Sequence, residues 1–148
     1  MSTLLIAIHV IAAVALIGPV MVSTSMFAPR IPEAKSGNAS ALGALKILGS
    51  MTNNYGMFSA LVPILGIAVF LSDMDLYGKQ GQFHAAIALA VIAWALLLFL
   101  VVPKQKAVIA AAESNDASFD FDKSRSQLAM FGGIFNLLWI ICAILMFI

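Results

Sequence analysis

Two histidines carry the most chemistry in this chain, and they are its only ones. His9 opens the stretch His9-Val10-Ile11-Ala12-Ala13, and His84 opens His84-Ala85-Ala86-Ile87-Ala88. Each begins an apolar run that leaves through a proline and a cation, Pro29-Arg30 in the first case and Pro103-Lys104 in the second. The histidines are 75 positions apart, the two prolines 74, and Met57-Phe58 and Met130-Phe131 are 73, all within a residue of half of 148. That regularity reads as a tandem duplication, with repeats over about 1–75 and 76–148. Two imidazoles at equivalent positions of a repeat are what a low-spin haem needs for axial ligation. Small side chains one turn further on, Ala12 and Ala13 after His9 and Ala88 after His84, would let a flat macrocycle approach.

The elements that must hold such a pair are membrane helices. The sequence is 62% hydrophobic and 10% charged, with a mean hydropathy of +1.03, whereas a soluble domain carries about 25% charged residues. Four apolar runs, Thr3–Ala28, Ile47–Ser72, Gln80–Val102 and Ser126–Ile148, each supply the ~20 residues that cross a hydrocarbon core. The first run has no basic stretch before it and no small-x-small cleavage pattern after it, so it is expected to stay as the first helix. The expected fold is therefore an all-α membrane protein, an up-down-up-down bundle of four transmembrane helices built from two duplicated hairpins.

Basic residues set the expected orientation. Arg30, Lys35 and Lys46 lie in the first connection, Lys104, Lys106, Lys123 and Arg125 in the third, and Lys79 alone in the second. The first and third loops should face the cytoplasm, with both termini and the second loop outside, periplasmic in a bacterial plasma membrane. Helices 1 and 3 then run parallel and diagonal, and both histidines fall in the outer third of the membrane. Gly66 and Cys142 come to a similar depth, and Lys79, with Gln80 and Gln82, is placed to meet haem propionates.

Local signals fill in the rest. Gly18-Pro19 should bend helix 1, and Arg30–Asn38 reads as a turn-rich connection. Asp73–Gly78 reads as an outer turn, and Glu113–Lys123 as a polar, partner-facing or disordered loop. Asn53, Asn54 and Asn136 suit hydrogen bonds between helices, the eight methionines suit packing, and Cys142 suits a buried apolar position. Small residues beside a histidine also suit ordinary close packing, and a membrane histidine also suits a hydrogen bond to a carbonyl or water. Zinc is disfavoured, because the spans hold no carboxylate and a single cysteine. A net charge of +1 without a basic stripe argues against nucleic acid.

The pattern His9, Ile11-Ala12-Ala13, Gly18 and Phe27-Ala28-Pro29-Arg30 resembles a group of small bacterial membrane proteins with a histidine early in helix 1. The group includes the copper-resistance D-like proteins, the HemJ-type protoporphyrinogen oxidases and an uncharacterised integral-membrane family of about this length. The resemblance covers helix 1 and the start of helix 3. It implies haem b on membrane histidines, here His9 and His84. HemJ-type enzymes use a basic residue near their site, and no Lys or Arg stands inside a span here, so the resemblance extends to the haem and not to the oxidase activity. The expected function is a bis-histidine redox or electron-transfer protein rather than a bond-making enzyme. The alternative is a haem-free accessory subunit that meets membrane lipid and a larger respiratory or other membrane complex, or further copies of itself.

Overall fold

The computed structural model describes Ser2–Ile148. Its elements are α1 (Ser2–Lys35), α2 (Ala39–Phe58), α3 (Leu61–Ser72), α4 (Met74–Tyr77) and α5 (Gly81–Leu96), then a π-helical turn (Leu97–Val101), α6 (Val102–Glu113) and α7 (Phe121–Leu145). They group into four helical rods, Thr3–Lys35, Ala39–Ser72, Gly81–Glu113 and Phe121–Leu145, each long and apolar enough to cross a membrane. Consecutive rods pack side by side, α7 returns against α1, and α5 stands across the bundle from α1. The architecture is the expected all-α, up-down-up-down bundle of a multi-pass membrane protein.

Pro19 lies inside one continuous helix, as expected, whereas Pro29, Pro32 and Pro63 act differently from their expected roles. α1 continues through Pro19, Pro29 and Pro32 to Lys35, so the first turn-rich connection shrinks to Ser36–Asn38. The reason is the face carrying Phe27, Ala28, Ile31 and Ala34, all buried at helical spacing. Packing that face outweighs the backbone bonds that Pro29 and Pro32 remove. Gly37, in the left-handed region at φ 93°, then makes the turn. Asn38 caps α2 by accepting from the Ser40 and Ala41 amides.

The second rod, in contrast, breaks at Ser59-Ala60. Pro63 cannot donate to the Ser59 carbonyl, which accepts from the Val62 amide at 3.0 Å instead. The Ala60 amide turns to Met57, so the Gly56 carbonyl loses its usual helical donor. Two side chains replace it: the Ser59 hydroxyl, and the Trp94 indole N–H from α5 at 3.1 Å. The break is thereby stitched to the neighbouring rod.

Glu113–Lys123, expected as a loop either disordered or facing a partner, is ordered by its own contacts. Asn115 takes a left-handed conformation at φ 51°, the Asp116 amide returns to the Ala111 carbonyl at 3.0 Å, and α6 ends in a closed C-terminal motif. Phe121 is buried and meets Phe119 edge to face with ring centroids 4.9 Å apart. Asp120 caps α7 through the Lys123 amide. Asp73 does the same for the short α4 through the Leu76 amide.

The core is concentrated at the end of the bundle where the cations lie. Phe27, Ile31, Leu45, Leu97, Val101, Val108 and Leu128 are all at most 2% exposed. At the other end, Ile8, Val10, Ile11 and Val14 of α1 are exposed. We call these the basic end and the histidine end.

Candidate functional site

His9 sits at the histidine end with its ring laid against α3. A Cβ placed on Gly66 would come 3.1 Å from His9 Cε1, so the glycine is what lets the imidazole approach the backbone. The ring lies beside the Val62 carbonyl, one turn away on the same face of α3. Its Nδ1 is nevertheless buried without a hydrogen-bond partner. Such an atom costs about 1–3 kcal/mol when left unmet, and an ionisable side chain inside a membrane span is a functional candidate.

His84 lies one turn closer to the end. Its ring is exposed, packs edge to face on Phe70 of α3 with centroids 5.0 Å apart, and faces the Gln80 carbonyl through Nδ1 at 3.3 Å. An Nδ1–H donated to a backbone carbonyl leaves Nε2 with the free lone pair, the state in which histidine binds metals. Gly66 and Phe70 are four residues apart on α3 and therefore share one face, separated by about 6 Å along its axis. Both histidines thus pack on α3, His9 against Gly66 and His84 against Phe70 one turn further on.

The other expected site residues are distributed around this pair. Ala12 and Ala13 are half-buried on α1, Ala88 and Lys79 are exposed, and Gly66 is the one in direct contact with an imidazole. Cys142 is buried and lies 3.5 Å from the Ala86 carbonyl, between α7 and α5. Among the described residues no three His, Cys, Asp or Glu side chains gather closely enough to hold a metal ion by themselves.

The different postures of the two histidines have a geometric origin. His9 precedes Pro29 by 20 residues and His84 precedes Pro103 by 19. One residue turns an α-helix by about 100°, and the π turn at Leu97–Val101 adds a further offset on the second path only. The imidazoles consequently occupy different rotational positions relative to the prolines that follow them.

Compared with protein families, curated proteins and solved structures, this chain matches none. Its function has to be read from its own residues.

Those residues include a buried polar layer that apolar patterning alone did not single out. The hydroxyls of Ser23 and Thr52, both fully buried, meet at 2.7 Å between α1 and α2. Asn136 of α7 donates to Ser25 at 2.8 Å and stands 3.4 Å from the Thr24 hydroxyl. Asn136 therefore bonds between helices, as expected, whereas Asn53 and Asn54 bond to each other and to Ser50 on their own helix. Gln105 is 2% exposed with its Oε1 unpaired, and the Trp139 indole nitrogen is also buried without a partner. The usable signal for Ser23, Thr52 and Ser59 was their helical register with Val20, Leu48 and Gly56 on inward faces.

Proposed function

We propose that this chain is a membrane redox protein that binds haem b at the histidine end, with His9 and His84 as its axial ligands. The observation that carries the reading is that both histidines pack on α3, at Gly66 and at Phe70 one turn apart, each with a ring nitrogen free of hydrogen bonds. When bound, haem supplies one-electron transfer at a potential set by its ligands and surroundings. The residues contribute the rest: Gly66 gives His9 its room, Gln80 fixes the His84 tautomer, and the apolar faces of α1 and α5 keep water away. Lys79 and Gln80, just before the third rod, and Gln82 in its first turn are the polar side chains nearest in sequence for carboxylates at the membrane surface.

The same reading fixes an orientation. Seven of the eight cations belong to the basic end, which we assign to the cytoplasm, with both termini and the histidine end outside a bacterial plasma membrane. His9 is 21 residues from Arg30 along α1, about 31 Å, so it lies near the far boundary of a hydrocarbon core about 30 Å thick. His84 stands further out still, which supports a haem close to the outer surface, within reach of an external redox partner. The group of histidine-bearing bacterial membrane proteins that helix 1 resembles is consistent with this assignment.

Absorption spectroscopy of the purified protein, expressed with ample haem, tests the proposal. Two imidazole ligands should give a sharp Soret band and split visible bands on reduction. His9→Ala and His84→Ala should each leave five-coordinate or lost haem while circular dichroism shows the helices intact. Ligation needs neutral imidazole, so acidification through the histidine range should release the haem. A colourless wild-type protein, or two single variants with unchanged spectra, would overturn the reading and leave the haem-free accessory subunit in its place.

A further inference from the structure

At the basic end, far from the histidines, a groove of about 300 Å³ runs between α1 and α7. Two adjacent glycines on its α7 wall do different work. A Cβ on Gly132 would stand 3.2 Å from the Thr24 carbonyl oxygen, so this glycine sets the close approach of the two helices. A Cβ on Gly133 would meet nothing within 4 Å. The missing side chain at 133 therefore leaves open space that helix packing does not require, in a wall where any larger residue would fill it.

The groove also holds one backbone acceptor that lipid tails cannot satisfy. Pro29, on its α1 wall, has no N–H to offer the Ser25 carbonyl, and the Ser25 hydroxyl and the Asn136 amide meet beside it. At the open end stands Arg125, exposed and without an acidic partner; among the described residues the single ion pair is Lys46 with Glu113. A cation at the mouth, small side chains along the wall and hydrogen-bonding groups about two to three turns further in form the profile of an amphiphile with an anionic head.

We propose that this groove holds one anionic phospholipid, its phosphate on the Arg125 guanidinium and its upper chain over Ala129 and Gly133. Basic pockets between membrane helices select acidic head groups by this charge pairing. The Ser25 carbonyl, which Pro29 leaves without its helical donor, draws water from the head-group region into the groove, since that water supplies a donor that hydrocarbon lacks. The site is at the opposite end from the proposed haem and does not depend on it.

Native mass spectrometry of the full-length protein, offered equal amounts of phosphatidylglycerol and phosphatidylcholine in detergent, tests the assignment. One phosphatidylglycerol should be retained with about fivefold preference over phosphatidylcholine, as expected for one basic contact. Arg125→Gln should reduce that preference to near unity, and Gly133→Leu should expel the lipid while circular dichroism stays unchanged. Lys123→Gln, which removes a nearby cation outside the groove, should leave the preference as it was. Equal retention of the two lipids by the wild type, a preference that survives Arg125→Gln, or a lipid that remains in Gly133→Leu would each overturn the proposal.

Discussion

The two ends of this bundle are made by the same four rods and packed in different ways. At the basic end, α1, α2, α6 and α7 bury Phe27, Ile31, Leu45, Val108 and Leu128 together and lock through the Ser23–Thr52 and Asn136–Ser25 hydrogen bonds. At the histidine end, α1, α3 and α5 leave Val10, Ile11, Val14 and Val91 exposed and place an imidazole with an unmet nitrogen against a glycine. Hydrophobic burial does not drive helices together in lipid, so dispersion and polar contacts decide where the rods adhere. Both are concentrated at one end. The rods are held together most firmly there.

The largest contrast should appear on cutting side chains back at each end. Phe27→Ala, at a fully buried position, should cost about 2–4 kcal/mol, somewhat below the value in a soluble core because lipid replaces part of the transfer term. Val14→Ala, at a position 72% exposed, should stay within about 0.5 kcal/mol. Unfolding in mixed micelles measures both, and equal losses would erase the distinction between the ends.

Next in size is the pair of glycines on α7. Gly132→Leu must push α1 and α7 apart, because the Thr24 backbone oxygen cannot yield as a flexible side chain would, and should cost about 1–3 kcal/mol. Gly133→Leu has open space before it and should cost nothing measurable in the same assay. The reverse order would mean that the groove face, not the Gly132 contact, holds the helices together.

How much of this was legible beforehand follows from which forces leave a trace in sequence. The four spans and the basic end were readable because charge and apolar length are direct consequences of a lipid solvent. Cys142 in the interior and Asn136 between helices were readable for the same reason. The fate of the prolines was not: Pro29 and Pro32 read as a stop, yet α1 continues because Phe27, Ile31 and Ala34 pack behind them, whereas Pro63, expected inside one unbroken span, separates α2 from α3. Each outcome depends on what the neighbouring rod offers, such as the Trp94 indole for the Gly56 carbonyl. The posture of His84 was hidden for a similar reason, since Leu97–Val101 contains nothing that announces a π turn.

A smaller effect sharpens the account of the basic end. Ser23→Ala and Thr52→Ala each remove one partner of the 2.7 Å hydroxyl pair, and a double-mutant cycle should return a coupling of about 0.6 kcal/mol, the usual size between membrane helices. A coupling near zero would leave the adhesion of α1 to α2 to apolar contact alone.

The smallest expected effect lies in the connection between α6 and α7. The Asp116 carboxyl is held below the usual carboxylate range, first by the Ser118 hydroxyl and then by the Ser118 amide, which donate to it at 2.6 and 2.9 Å. A depressed value means that the contribution of this group to loop order is full above the ordinary carboxylate range and is lost as pH falls through its lower value in the folded chain. The protection of the Ser118 and Phe119 amides relative to their intrinsic exchange rates should therefore fall on acidification, and Asp116→Asn should flatten that dependence with little change at neutral pH. An unchanged pH profile in the variant would assign the order of this loop to Phe119 and Phe121 instead.

The tryptophan that closes the break in the second rod gives the molecule something further. Trp94 and Trp139 are its two indoles, one bonded to the Gly56 carbonyl and the other buried with its N–H unmet. Indole vibrations respond to that bond, so the two residues form an internal optical reference pair: a bonded chromophore at the hinge between α2 and α3, and an unbonded standard on α7. Any movement that opens the hinge would shift the first signal toward the second, and the protein would report its own flexing without a label.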